Sequence, residues 1–123
     1  MQEGAQLTPA GAGPRYEVFH TDCPARDMVD HVTSRWGIWV LISLRSNDLR
    51  FYELRDSIHG ISEKMLAQTL RALVKDGLVW REVEPTTPPQ VTYGLTDFGR
   101  DIGEPLTDLF DRITRHLPPR GQG

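Results

Sequence analysis

The chain has 123 residues, of which 38% are hydrophobic and 25% charged, an ordinary composition for one soluble globular domain. A formal net charge of −3 argues against a protein that binds nucleic acid through bulk positive charge. The single cysteine excludes an intrachain disulfide and a cysteine-rich zinc site. The four histidines lack the spacing of metal ligands, so we expect neither a metal nor a cofactor.

The two ends of the chain have the composition of unstructured segments. The first residues, MQEGAQLTPAGAGPR, are rich in glycine, alanine and proline and lack the basic and apolar regions of a signal peptide. We therefore predict a disordered arm over 1–15, one domain over 16–117 and a flexible tail over 118–123. No apolar run approaches the roughly 20 residues that span a bilayer, so we expect no membrane association and a cytoplasmic protein.

Two helices are predicted at the start of the domain. The segment CPARDMVDHVTSRW begins with a proline suited to the first helical position and repeats apolar residues at helical spacing, which predicts a helix over 24–34. The next segment, GIWVLISLRS, is almost all apolar from Ile38 to Leu44. Periodicity alone does not separate a buried helix from a strand there, but a length of about ten residues favours a buried helix.

A short helix and a longer one follow. In LRFYELRDSIHG the apolar residues recur at helical spacing up to Gly60, which predicts a short helix that ends there. Ser62 can cap the next helix by accepting a hydrogen bond from an N–H group of its first turn. The buried stripe of this longer helix consists of Leu66, Leu70, Leu73 and Val74. At about 100° per residue, four long polar side chains lie within about 60° of one another on the opposite side: Lys64, Gln68, Arg71 and Lys75.

A β-hairpin and a last helix complete the domain. LVWREVEP and QVTYGL alternate with a period of two on either side of TTPP, which predicts a hairpin with a proline-stiffened tip. From Thr96 onward, helical spacing returns, and Pro105 is expected to kink or split this helix. Its apolar stripe is Phe98, Ile102, Leu106, Leu109, Phe110, Ile113 and Leu117.

This order of elements is that of a winged helix-turn-helix. The predicted fold is mainly α, of the α+β class, with a two-stranded hairpin as the wing and added N- and C-terminal dimerisation helices. In such a motif the second helix of the pair lies in the DNA major groove. Lys64, Gln68 and Arg71 are therefore interpreted as DNA contacts rather than as a solvated face, because Gln and Arg can bind adenine and guanine edges through two hydrogen bonds. Lys75 is expected in solvent.

Further DNA contacts are predicted around that helix. Arg50, and Arg55 beside it, are candidate phosphate contacts, and the amides next to Ser62 can receive a phosphate. Thr69 lies on the DNA-reading helix and joins the predicted set. Thr87 and Gln90 at the hairpin tip can reach the minor groove or the backbone. Plain solvation is an equal alternative for Arg50, Arg55 and the tip.

The C-terminal stripe is longer than a winged-helix core requires. We favour a dimer interface shared with the first helix over the alternative that the stripe only covers the core of one chain. The predicted interface residues are Met28, Val32, Leu106, Leu109, Phe110, Ile113 and Leu117.

Taken in order, the motifs over 23–117 resemble the HxlR-type winged-helix transcription regulators of bacteria. The resemblance rests on CPARDMV, the pair Gly37 and Trp39, LRFYEL, GISEKMLAQTLRALVKDGLVWR, the proline-rich turn before VTYGLT, and LTDFGR. It implies a homodimer that binds operator DNA and pairs through its terminal helices. It also implies a response to oxidants or electrophiles at Cys23. The chain departs from the family at Ile38, where a basic residue is common.

Cys23 has two interpretations. A free cysteine is usually a small buried hydrophobe. However, Cys23 precedes Pro24 at a helix start, where the helix dipole favours the thiolate, although Asp22 opposes this effect. The resemblance favours redox or electrophile sensing.

The sequence predicts a DNA-binding transcription regulator that acts as a homodimer on a near-palindromic operator. Its expected partners are double-stranded operator DNA, a second copy of the chain and a small oxidant or electrophile. A winged helix used only as a protein-interaction module is one alternative. A thiol enzyme with Cys23 as nucleophile and His20 or His31 as base is another, but no glycine-rich phosphate loop or carboxylate constellation supports an enzyme.

Overall fold

The computed structural model describes residues 23–119. The predicted arm over 1–15 and most of the predicted tail over 118–123 lie outside these residues. Within them the chain forms five helices and three strands: α1 (Pro24–Val32), α2 (Gly37–Leu44), β1 (Leu49–Arg50), α3 (Phe51–Ser57), α4 (Glu63–Lys75), β2 (Val79–Glu84), β3 (Gln90–Leu95) and α5 (Asp97–Arg115). The predicted winged-helix fold, mainly helical and of the α+β class, is confirmed.

The core is built from leucines that several elements contribute. Leu41, Leu54, Leu66, Leu73 and Leu78 are fully buried. The helix α2 packs against α1, α3, α4, α5 and β3, so almost every side of it faces other parts of the chain. A helix surrounded in this way is apolar on all faces, which explains why its sequence shows no clear period. The prediction of a buried helix here is confirmed.

The sheet has one strand more than predicted. Strands β2 and β3 form the antiparallel hairpin, and β1 pairs with the other edge of β3 in the order β1-β3-β2. Arg50 therefore lies at the end of a strand and caps α3, instead of lying on the helix as predicted. A two-residue strand is too short to give an alternating pattern, so the sequence did not reveal it.

Side chains fix the ends of the helices that matter for the site. The Ser62 hydroxyl accepts a hydrogen bond from the Met65 N–H at 3.1 Å, as predicted for the cap of α4. The Thr96 hydroxyl caps α5 by accepting from the Gly99 N–H at 2.9 Å, and it donates to the Gly77 carbonyl at 2.6 Å. Thr96 thus ties the start of α5 to the turn that ends α4.

Pro105 does not split α5, which runs unbroken from Asp97 to Arg115. Proline removes one N–H donor and leaves the carbonyl four residues earlier, that of Asp101, without its helical partner. Both residues are exposed, so this carbonyl lies on the side of the helix where water can bind it. Of the two predicted effects of Pro105, a kink or a split, the split was wrong.

Gly99 allows α5 to approach the base of the hairpin very closely. A Cβ atom at this position would overlap the backbone carbonyl of Leu78. One helical turn later, a Cβ atom at Gly103 would meet only the Leu95 Cδ1 atom at 3.7 Å and the Leu41 carbonyl oxygen at 3.9 Å, both ordinary contacts. A side chain larger than hydrogen therefore does not fit at position 99, whereas a Cβ atom fits at position 103.

We predict that Gly99→Ala lowers the free energy of unfolding by about 1–3 kcal/mol, because a backbone atom cannot move aside as a flexible side chain can. The matched control is Gly103→Ala, which should leave stability unchanged or raise it by up to about 1 kcal/mol, since alanine favours a helix over glycine. Urea unfolding at one fixed protein concentration measures both. Equal effects of the two substitutions would contradict this account.

Candidate nucleic-acid interface

The polar face of α4 is exposed, as the sequence predicted. Lys64, Gln68, Arg71 and Lys75, hereafter the reading face, are all exposed to solvent. Leu66, Leu70 and Leu73 on the opposite side are buried in the core. The burial of one side of α4 therefore fixes the direction in which the reading face points.

The two edges of the reading face lie against different parts of the chain. Arg71 and Lys75 line a cleft of about 600 Å³ between α4 and the sheet, together with Arg81 of β2 and Tyr93 of β3. The other edge, which carries Gln68, lies along the crevice between α4 and the end of α1. Arg71 therefore faces the wing, and Gln68 faces α1.

Thr69 is only half-exposed and lines the crevice beside Gln68. Its hydroxyl group donates a hydrogen bond to the Met65 carbonyl at 2.8 Å. This bond occupies the hydroxyl hydrogen, so Thr69 retains only acceptor capacity toward a ligand.

Arg81 is a residue of this cleft that the sequence analysis missed. It follows Val79 by two positions on β2, so both side chains lie on the same side of the strand. Val79 is buried, whereas Arg81 is exposed because the hairpin extends beyond the core. An arginine in phase with an apolar strand residue was the signal in the sequence that could have identified it.

The cations around the reading face have no carboxylate partners. Among residues 23–119, no salt bridge involves any of Arg50, Lys64, Arg71, Lys75 and Arg81. A cation without a counter-charge releases condensed counterions when it binds a phosphate, which makes such a surface suitable for nucleic acid.

Three other arginines are paired, which sets them apart from this group. Arg45 binds both carboxylate oxygens of Glu104 at 3.0 and 3.1 Å. Arg112 binds Asp108 at 2.8 Å within α5. In each pair, the hydrogen bond to the carboxylate, followed by its negative charge, raises the pKa of the arginine above its usual value.

Arg55 is also paired, contrary to its predicted role as a phosphate contact. It binds Glu63 at 2.7 Å and Asp56 at 3.2 Å. Hydrogen bonds to these two carboxylates raise the pKa of Arg55. Because its charge is already balanced across the gap between α3 and α4, Arg55 is a structural link rather than an open phosphate site.

A second cleft, of about 560 Å³, separates α3 from the tip of the hairpin. Arg50 and Gln90 both line it, with Tyr52 and the prolines of the tip around them. Two of the predicted contacts are thus brought together from β1 and β3. Thr87 is exposed at the tip itself.

An exposed apolar surface lies on the terminal helices and α2. This surface, hereafter the terminal surface, comprises Val29, Trp39, Leu109, Phe110, Ile113 and Leu117. Trp39 and Phe110 contact edge to face at 5.4 Å, which joins α2 to α5. Four of the predicted interface residues belong to it; Val29 and Trp39 were not predicted.

The structure places the other predicted interface residues inside the single chain. Val32 is 7% exposed and Leu106 is 9% exposed, and both belong to the core. Met28 is half-buried against the core. Val32 and Leu106 therefore contribute to the core of one chain, and the sequence could not show this because a helical stripe does not reveal where the core ends and the surface begins.

Cys23 lies at the N-cap of α1 and is 5% exposed. Its carbonyl accepts a hydrogen bond from the Asp27 N–H at 3.1 Å, but its thiol makes no capping bond. The thiol is therefore at the start of α1, in a position that solvent barely reaches.

Two negative observations concern residues 23–119 alone. No helix in this part of the chain is both long and apolar enough to cross a membrane. No three His, Cys, Asp or Glu side chains converge there as metal ligands.

Comparison with known proteins identifies relatives over most of the chain. The model of the HxlR-like helix-turn-helix family matches residues 31–120. The uncharacterized HTH-type transcriptional regulator YtfH of Escherichia coli (strain K12) is 46% identical over 101 residues, which cover 82% of this chain and 80% of that protein.

Two solved structures are similar in fold. The structure of ytfH from Salmonella typhimurium superposes with a TM-score of 0.79 at 43% identity and covers 85% of this chain and 93% of that one. The redox regulator HypR in its oxidized form superposes with a TM-score of 0.71 at 30% identity and covers 79% of this chain and 100% of that one.

Proposed function

The chain belongs to the HxlR-like helix-turn-helix family of transcription regulators, and on this basis we propose that it binds operator DNA sequence-specifically as a homodimer. The observation that carries the proposal is the exposed reading face of α4, whose cations have no carboxylate partners in the described part of the chain. An unneutralised polar face on the second helix of a helix-turn-helix is suited to the major groove.

Gln68 and Arg71 are the proposed base-reading residues. Each can form two hydrogen bonds to one base, Gln68 with adenine and Arg71 with guanine. Lys64 lies in the first turn of α4, and the first turns of such helices approach base edges. The half-buried Thr69 contributes at most an acceptor. Base recognition is therefore assigned mainly to Lys64, Gln68 and Arg71.

The phosphate contacts are assigned to cations on both sides of α4. Arg81 and Lys75 line the cleft beside the wing, where a DNA strand leaving the major groove can pass. Arg50 lines the second cleft with Gln90, and Thr87 is exposed at the tip. The backbone amides next to Ser62 can bind a further phosphate at the start of α4. Together these groups are proposed to hold the backbone while the reading face contacts bases.

The terminal surface is proposed as the dimer interface. Its exposed members lie on α1, α2, α5 and the residues just after α5, whereas the reading face lies on α4. A two-fold dimer presents two reading helices to half-sites about 34–36 Å apart, or a multiple of this distance, which is the spacing of a near-palindromic operator. A second copy of the chain is therefore the proposed partner.

A response to oxidants or electrophiles through Cys23 is proposed as a second feature. Its support is the similarity to the redox regulator HypR and the position of the thiol at the start of α1. With one cysteine in the chain, the available products are a disulfide between two copies, a mixed disulfide with a small thiol, and direct alkylation or oxidation. Because the thiol is buried, a local opening of the structure must precede its reaction with a reagent.

A winged helix that binds only other proteins is the alternative to this proposal. Such a protein would bind every duplex weakly and without a steep dependence on salt concentration. A regulator acting on chromosomal DNA is expected in the cytoplasm, whereas an interaction module has no such requirement.

We predict that Gln68→Ala and Arg71→Ala each weaken operator binding by about 1–3 kcal/mol while changing binding to a scrambled duplex less. Arg81→Ala should instead weaken both duplexes alike and reduce the slope of log K against log salt by about 0.9, the value for one lost phosphate contact. Fluorescence anisotropy at several salt concentrations, with DNA from upstream of the protein's own gene, measures these effects.

The matched control for these substitutions is Arg115→Ala. Arg115 is also exposed and has no ion pair with any residue of the described range 23–119, but it lies at the far end of α5. The Arg115→Ala variant should bind both duplexes as the wild type does. Wild-type affinity for the operator in the three test variants, Gln68→Ala, Arg71→Ala and Arg81→Ala, would rule out the assignment of α4 and its cleft.

We predict that Ile113→Glu converts a dimer into a folded monomer. Ile113 is 51% exposed in the single chain, so a charge there costs little in the monomer but is buried at the proposed interface. Light scattering measures the mass, and circular dichroism measures the helix content. Arg115→Glu is the control, because it makes a larger charge change on the opposite face of α5 and should leave the dimer intact. A dimeric Ile113→Glu variant would refute this interface.

We predict that diamide changes the operator affinity of the wild type by at least about fivefold, within the usual range of coupling between two sites. Cys23→Ser should not respond. The reaction of the wild type should be slow compared with that of the urea-unfolded chain, because the thiol is buried. Equal responses of the two proteins would leave Cys23 with a packing role only.

A further inference from the structure

A polar link joins α1 to the end of α4. The Nδ1 atom of His31 lies 2.6 Å from the Oδ2 atom of Asp76, although the two residues are 45 positions apart. A carboxylate oxygen only accepts, so the imidazole nitrogen donates this hydrogen bond. Of the two side chains, Asp76 is the less accessible, with 15% exposure.

The position of Asp76 makes a partner necessary. Asp76 is the C-cap of α4, where the free carbonyl groups create a negative potential. A carboxylate is disfavoured at this end of a helix, and its partial burial adds a desolvation cost. A hydrogen bond from His31 offsets both effects, so it favours this arrangement of the end of α4.

His31 is itself held at the corner between α1 and α2. Its carbonyl accepts a hydrogen bond from the Ser34 hydroxyl at 2.9 Å, and this hydroxyl accepts from the Gly37 N–H at 3.0 Å. A Cβ atom at Gly37 would overlap the His31 carbonyl oxygen, so the corner is tightly packed. The His31 side chain therefore connects α4 to a fixed point beside the central helix α2.

This connection lies directly beside one edge of the reading face. His31 and Ser34 line the same crevice as Gln68 and Thr69. On the other side of α1, Val29 belongs to the terminal surface. The helix α1 thus lies between the proposed partner subunit and the edge of α4 that carries Gln68.

We propose that His31 is a positioning residue, and that its bond to Asp76 holds α4 at one fixed angle to α1 and therefore to the two-fold axis of the dimer. This proposal rests on the proposed function, because it concerns how a DNA-binding dimer presents α4. Two-hydrogen-bond contacts to bases require correct direction as well as distance, whereas phosphate contacts tolerate rotation of the helix. Loss of the bond therefore reduces the preference for the operator and leaves general DNA binding in place.

The test is a double-mutant cycle with His31→Ala, Asp76→Ala and the double variant, each at a temperature where urea and thermal unfolding show it to be folded. The measured quantity is the ratio of operator affinity to scrambled-duplex affinity. Each single variant should lower the ratio by at least about fivefold, and the double variant should lower it no further than the singles. His31→Gln, whose amide can donate to Asp76, should retain most of the wild-type ratio.

Arg112→Ala is the matched control, because it breaks the exposed pair with Asp108 on α5, away from α4. Its ratio should equal that of the wild type. If His31→Ala keeps the wild-type ratio, or loses affinity equally for both duplexes, the positioning role is wrong and the proposed function is unaffected. If the wild type itself does not distinguish the operator from the scrambled duplex, the proposed function fails, and this inference fails with it.

Discussion

The burial of α2 on almost every side is the constraint on which the rest of the structure depends. This helix contacts every other helix and β3, and it has no polar side to offer to water. The surrounding elements must therefore turn their apolar sides inward, which leaves each of them one outer face. On α4 the outer face is the row of long polar side chains, and on α5 it is acidic along one side and apolar along another. The direction in which these outer faces point therefore follows from the need to cover α2.

An acidic chain can present a surface for nucleic acid because its charges are segregated. Arg45, Arg55 and Arg112 are balanced by carboxylates on their own or neighbouring elements. The acidic residues of α5 are all exposed: Asp97, Asp101, Glu104, Asp108 and Asp111. The net charge of −3 is a sum over these separate regions, and the potential near α4 is set by the cations there.

Local patterns were sufficient to predict most of the fold, because period and end signals depend on near neighbours. The Ser62 cap, the stripe of Leu66 and Leu70, and the alternation of the hairpin needed only a few adjacent residues. The strand β1 is defined by its pairing with Tyr93 and Thr92, which are far away in sequence, so no local signal exists for it. Pro105 was misjudged because its cost depends on whether Asp101 faces water, which is a property of the folded chain.

The candidate site could be predicted on α4 but not around it, for the same reason. The reading face follows from helical geometry, whereas the cleft that includes Arg81 depends on how far the hairpin extends beyond the core. The pairing of Arg55 with Glu63 and of His31 with Asp76 depends on the packing of separate helices. Val32 and Leu106 show a second limit of the sequence. Some residues of one apolar stripe lie in the core and others on the surface, and only the folded structure shows which.

Thr96 has a consequence for how such a molecule can change shape. Its hydroxyl and its N–H group bind the carbonyls of Gly77 and Leu78, at the junction where α4 passes into the hairpin and α5 begins. The fit of Gly99 against Leu78 leaves this junction no free volume. The base of the hairpin and the start of α5 are therefore rigidly joined at this junction. In the proposed dimer, a rotation of one α5 helix relative to its twin would carry the attached hairpin with it. Such a rotation would alter the separation of the two proposed DNA-binding surfaces more than the shape of either.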